Sequence, residues 1–92
     1  MKRLVWDARA LADLESISEY IAADSKKAAA RVVSYIRERA LVLEAMPKLG
    51  MASSDPGTRE LILPRFPYVL VYEIAGDEVR ILAVFHQQQN RR

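Results

Sequence analysis

The chain holds one histidine, His86, and no cysteine. A single histidine cannot build a multi-histidine metal site, and without cysteine there is no thiolate nucleophile, zinc–thiolate centre or disulfide. No G-x-S-x-G, Walker or G-x-G-x-x-G pattern occurs in the sequence. The expectation is therefore no metal and no cofactor. The chemistry left is proton transfer beside a phosphate. Cleavage of RNA by its own 2′-hydroxyl needs only a proton acceptor, a proton donor and nearby cations. His86, Glu73 and Tyr72 can move protons, and Arg59, Arg65 and Arg80 can hold phosphate. Tyr72 reads as a core residue and Glu73 as the partner of Arg80. The candidate catalytic set thus shrinks to Arg59, Arg65 and His86. A lone histidine beside glutamines is more often a hydrogen-bonding surface residue than a catalyst.

Ninety-two residues define one domain, 1–92, with 88–92 read as a disordered tail. A chain this short buries only about 60–65% of its unfolded surface, so a partner can add much to its stability. A hydrophobic share of 51% against 28% charged places it among folded rather than disordered chains. No apolar run of about 18 residues occurs, so no membrane span is expected. "MKRLVWDARALADL" carries acids and no unbroken apolar block, unlike a signal peptide. The lack of cysteine fits the cytoplasm. A net charge of +2 does not by itself indicate nucleic acid. Arg91 and Arg92 read as a solvated terminus, or as a basic arm for phosphate or an acidic partner.

Side chains need elements to hold them. "KRLVW" (2–6) predicts a first strand, and Asp7 is placed to cap the helix after it. Leu11, Leu14, Ile17 and Ile21 recur at helical spacing over residues 8–23. Asp24 or Ser25 caps a second helix reaching about residue 45. Its stripe is Ala29, Val32, Val33, Ile36, Ala40 and Leu43. So short a link makes an αα-hairpin, one helix acid-rich and the other base-rich, with some cross-helix ion pairing. Pro47 and Gly50 end the second helix, and "GMASSDPGT" (50–58) reads as a loop. "RELIL" (59–63) is a strand, "PRFP" (64–67) a stiff connection, and "PYVLVYEIAGDEVRILAVFHQ" (67–87) two strands around one turn.

Gly76-Asp77 suits a two-residue hairpin loop. It sets Ala75 opposite Glu78, then pairs Ile74–Val79, Tyr72–Ile81, Leu70–Ala83 and Tyr68–Phe85 on one face. The other face then holds Glu73–Arg80, Val71–Leu82 and Val69–Val84. A register slipped by one residue would turn Glu78 and Arg80 inward, at a cost of several kcal/mol. The first face should receive the helices. The second is partly apolar, and two coverings are open: the side chains of Met46, Leu49 or Met51, or another protein chain. On the second reading Val69, Val71, Leu82, Val84 and Arg80 form a partner-binding surface.

With these elements in order, the chain resembles the RelE/ParE superfamily of toxins from type II toxin–antitoxin systems, closer to its ParE-like branch. The likeness is carried by Trp6, by "A..DL..I..YIA..S" from Ala10 to Ser25, and by "P.LG" at 47–50. It continues in "GTREL" at 57–61, "PYVLVYEI" at 67–74 and "VRILAVFHQ" at 79–87. The resemblance implies an α+β domain of order β-α-α-β-β-β, its helix hairpin packed on one face of a small, mostly antiparallel sheet. It implies growth arrest by the free protein and neutralisation by a cognate antitoxin protein that wraps it. ParE-like members act by binding DNA gyrase; RelE-like members cleave mRNA on the ribosome. The ribonucleases commonly carry an arginine just before "LVY", where this chain has Val69. Many also carry a C-terminal tyrosine or basic cluster, where this chain has "QQQNRR". The resemblance thus points to gyrase, with mRNA cleavage as the alternative.

Overall fold

A computed structural model describes residues 1–89, Gln89 by its backbone alone; the tail expected at 88–92 lies mostly outside that range. Seven elements follow one another: β1 (Arg3–Trp6), α1 (Ala8–Ala22), α2 (Lys26–Ala45), β2 (Met51–Ala52), β3 (Thr58–Ile62), β4 (Tyr68–Ala75) and β5 (Glu78–His86). A single turn of 3-10 helix, Gln87–Gln89, follows β5. The strands form one sheet in the order β1-β5-β4-β3-β2. β1 runs parallel to β5, and the other pairings are antiparallel. The two-residue β2 falls inside the stretch expected to be loop. It is too short to leave a periodic signal, and it forms because Met51 and Ala52 lie against Glu60 and Arg59.

The helices pack on one face of the sheet. Ala10, Leu14, Val32, Ile36, Ala40 and Leu43 meet Leu61, Leu63, Leu70, Tyr72, Val79, Ile81 and Val84 in one buried cluster. Each buried valine, leucine or isoleucine side chain there contributes about 1.5–3 kcal/mol over its exposed state. Two stripe residues turn outward: Leu11 is exposed, and Val33 is half-buried outside the cluster. Ala10 takes the inward place in α1, because a small residue lets the helix lie close to the sheet. Ser25 caps α2, its hydroxyl accepting from the Ala28 amide at 3.0 Å. Asp7 stands at the start of α1, but its side chain makes no capping bond. The expected cross-helix ion pairs do not form among the described residues. The ion pair on the helices is Arg9–Asp13, one turn apart, while Arg37 lies over the Trp6 ring.

The turn register is as expected from Ala75–Glu78 to Tyr72–Ile81, with Gly76 at φ 59°. Beyond it the expected pairs are corrected. A β-bulge leaves Leu82 as an extra residue, so Val71 faces Ala83, Leu70 faces Val84, Val69 faces Phe85 and Tyr68 faces His86. Strict alternation would have turned Ala83 inward and Val84 outward. The bulge brings the larger Val84 into the core against Leu70. Asp13 of α1 accepts the Val84 amide at 2.9 Å.

Candidate functional site

The three candidate catalytic residues are not brought to one place. Arg59 lies opposite Tyr72, whereas His86 lies opposite Tyr68. Four residues of strand, about 13 Å, and two strand spacings of roughly 4.8 Å separate those positions. Arg59 is already engaged: its guanidinium donates to the Gly50 carbonyl at 2.6 Å. That bond belongs to a buried network. The Tyr72 hydroxyl donates to the Pro47 carbonyl at 2.7 Å and accepts the Gly50 amide at 2.9 Å. Burial pushes the Tyr72 phenol above its ordinary pKa of 10.0, against smaller opposing effects of the Gly50 bond and Arg59. Sequence reading placed Tyr72 in the core but missed the network, because its members lie 9 to 25 positions apart.

Arg65 and His86 share the other end of the sheet. Arg65 lies over the Phe66 ring, and its amide donates to the Tyr35 hydroxyl at 3.2 Å. His86 packs edge-on against Tyr68, and its Nδ1 accepts the Gln88 amide at 3.1 Å. An open groove of about 690 Å³ lies there, lined by Asp13, Ser16, Tyr20, Tyr68, His86 and Gln88 among others. Burial, and next the nearby Tyr20, raise the pKa of Tyr68. Among the described residues no lysine or arginine lines this groove to meet a phosphate. Among the described residues no three His, Cys, Asp or Glu side chains gather as metal ligands.

The sheet face turned away from the helices is the more distinctive surface. Pairing and alternation place Val5, Arg80, Glu73 and Thr58 in one row, Ala83, Val71, Glu60 and Met51 in the next, and Phe85, Val69 and Ile62 in a third. Leu82 belongs here too, since it is half-buried yet outside the core cluster. Val84 does not, being 4% exposed within that cluster, and the bulge is the reason. Val69 and Ala83 are buried, Val71 and Phe85 half-buried, and Ile62 exposed. Met46, Leu49 and Met51, expected as a cover, are themselves 52%, 38% and 64% exposed. Arg80 donates to Glu78 at 2.9 Å, not to its cross-strand neighbour Glu73, and Glu78 also takes Arg3. A second uncovered apolar surface runs along the outside of the helix hairpin, where Leu11, Ala30 and Val33 lie between Glu15 and Arg37.

A helix hairpin on a five-stranded mixed sheet, with a partly apolar outer sheet face, is an architecture that comparison with known proteins ties to the RelE/ParE superfamily of toxins. The fold matches the chromosomal ParDE system of P. aeruginosa at a TM-score of 0.84, with 31% identity over 94% of this chain and 96% of that one. It also matches the isolated E. coli RelE toxin at 0.70; at 18% identity, over 100% of this chain and 88% of that one, that likeness concerns the fold alone. Toxin RelE2 of Caulobacter vibrioides is 34% identical over 94% of this chain and 96% of its own length. The protein Y4kP of Sinorhizobium fredii is 42% identical over 96% and 91%. Residues 4–91 match the family described as the ParE toxin of the type II toxin–antitoxin system parDE, and the chain belongs to that family. No helix among the described residues is long and apolar enough to cross a membrane.

Proposed function

We propose that this toxin acts by binding, with DNA gyrase as its target, and that a cognate antitoxin protein holds it inactive in the cytoplasm. The observation that carries the first part is the engagement of Arg59. Its guanidinium is held on the Gly50 carbonyl at 2.6 Å, far from His86, so it does not join a proton-transfer site. Val69 stands where the ribonucleases of the superfamily commonly have arginine, and a valine cannot neutralise a phosphate. A poison that acts by contact needs no such set. The antitoxin reading is supported by similarity to a ParDE system and by the outer sheet face, where Val69, Val71, Leu82 and Arg80 lie. The test is a supercoiling assay with purified gyrase and toxin. Inhibition with trapped, cleaved DNA is expected. Unaffected supercoiling together with cleavage of mRNA on added ribosomes would overturn the reading in favour of the nuclease, with Arg65 and His86 as the residues to substitute first.

A further inference from the structure

We infer that the outer sheet face takes a segment of the antitoxin in which one lysine or arginine is flanked by apolar residues, and that this cation sits between Glu60 and Glu73. The inference rests on the toxin–antitoxin reading above. Glu60 stands in the middle row of the face, between Val71 on β4 and Met51 on β2. It is half-buried, and its bond is a long one from the Ser53 hydroxyl, 3.3 Å away. Glu73 is its diagonal neighbour on β4, because β3 sets Thr58 opposite Glu73 and Glu60 opposite Val71. Diagonal positions of a sheet lie about 7–8 Å apart, so one ammonium or guanidinium between them reaches both carboxylates.

The cations of the face are spent elsewhere. Arg3 and Arg80 both pair with Glu78. Among the described residues neither Glu60 nor Glu73 has an ion pair. Two arginines against three glutamates leave these strand positions at a net −1, on a chain whose net charge is +2. Nucleic acid is excluded as the occupant, since its phosphates would meet two unpaired carboxylates. A second copy of this face would bring the same unpaired carboxylates against each other. A basic residue between apolar ones satisfies both the rows of Val71, Ala83, Phe85 and Ile62 and the two acids.

The experiment titrates the full-length toxin with its purified cognate antitoxin, at 50 and 300 mM salt, comparing wild type with Glu60→Gln/Glu73→Gln and with Glu60→Lys. Circular dichroism checks that each variant folds, as is expected of half-exposed positions. The double variant is expected to bind about 10- to 100-fold more weakly and to lose most of the salt dependence. Glu60→Lys is expected to bind more weakly still. Wild-type affinity in both folded variants would overturn this inference while leaving the antitoxin reading intact. Absence of binding by the wild type would overturn both. Self-association of the wild type that Leu82→Asp on the same face abolishes would assign the face to a second copy and so reject the antitoxin segment.

Discussion

At the scale of single residues, the hydroxyl of Tyr72 does more than its burial suggests. It ties Pro47 and Gly50 to the middle of the sheet, and Arg59 ties Gly50 a second time. Tyr72→Phe keeps the ring and leaves the Gly50 amide without its acceptor, so a loss of about 1–3 kcal/mol is expected in urea unfolding. Unchanged stability would mean that the loop holds itself. The same phenol gives a pH dependence. Its folded pKa is raised above 10.0, so above that pH the unfolded chain binds fewer protons than the native one, and stability falls as pH rises. This contribution is fully present below pH 10 and is expected to shrink in Tyr72→Phe, with the raised Tyr68 accounting for the remainder. Gly50 is fixed by space rather than by backbone angle. A Cβ there would lie 2.7 Å from the Glu60 carbonyl and 2.8 Å from the Tyr72 hydroxyl. Gly50→Ala is therefore expected to destabilise by about 1–3 kcal/mol in the same measurement. These roles also bear on activity tests: Arg59→Ala removes a structural bond, so lost toxicity in that variant reports on catalysis only where its fold is intact.

At the scale of elements, the sequence shows each long one and misses what depends on two elements meeting. Both helices, β3, β4 and β5 lie within a residue or two of their expected bounds, because apolar spacing and the Ser25, Pro47 and Gly76 punctuation are local signals. The bulge at Leu82 is not local. It sets Val84 opposite Leu70 in the core, where Asp13, in the second turn of another element, takes the Val84 amide. The same limit hid Ala10 and exposed Leu11, since which side of a helix faces the sheet depends on how closely the two layers approach. The catalytic candidates are held apart for a related reason: a strand order of β1-β5-β4-β3-β2 keeps Arg59 and His86 two strands apart, which residue type alone does not reveal. The bulged register makes a sharp prediction. Val84→Asp buries an unpaired charge at a cost of several kcal/mol, against a total stability of about 5–15 kcal/mol, and is expected to yield little soluble protein. Leu82→Asp, on the outer face, is expected to express and fold. Equal solubility of the two would show that β5 keeps strict alternation, which puts both side chains on the outer face.

At the scale of the whole molecule, one apolar layer is buried and a second is left for something else. The Cα radius of gyration is 12.8 Å, close to the roughly 12 Å of a compact chain of this length. Helices shield the sheet from one side, Met46, Leu49 and Met51 stay in solvent, and Ile62 is 47% exposed. A small domain whose outer sheet face is only partly buried has little stability of its own to spare. Anything that binds only the folded form then raises its stability by mass action, by about 2.7 kcal/mol at a hundred times the dissociation constant. For a domain of this size that corresponds to roughly 10–20 °C in unfolding midpoint. Thermal unfolding of the toxin at rising antitoxin concentration is expected to show this climb. The rise should be smaller at high salt, and smaller again in Glu60→Gln/Glu73→Gln, because part of the binding is a charge meeting two carboxylates. A midpoint indifferent to the antitoxin would show that the folded domain is no tighter a partner than the unfolded chain, and the open face would then have no bearing on how the toxin is held in check.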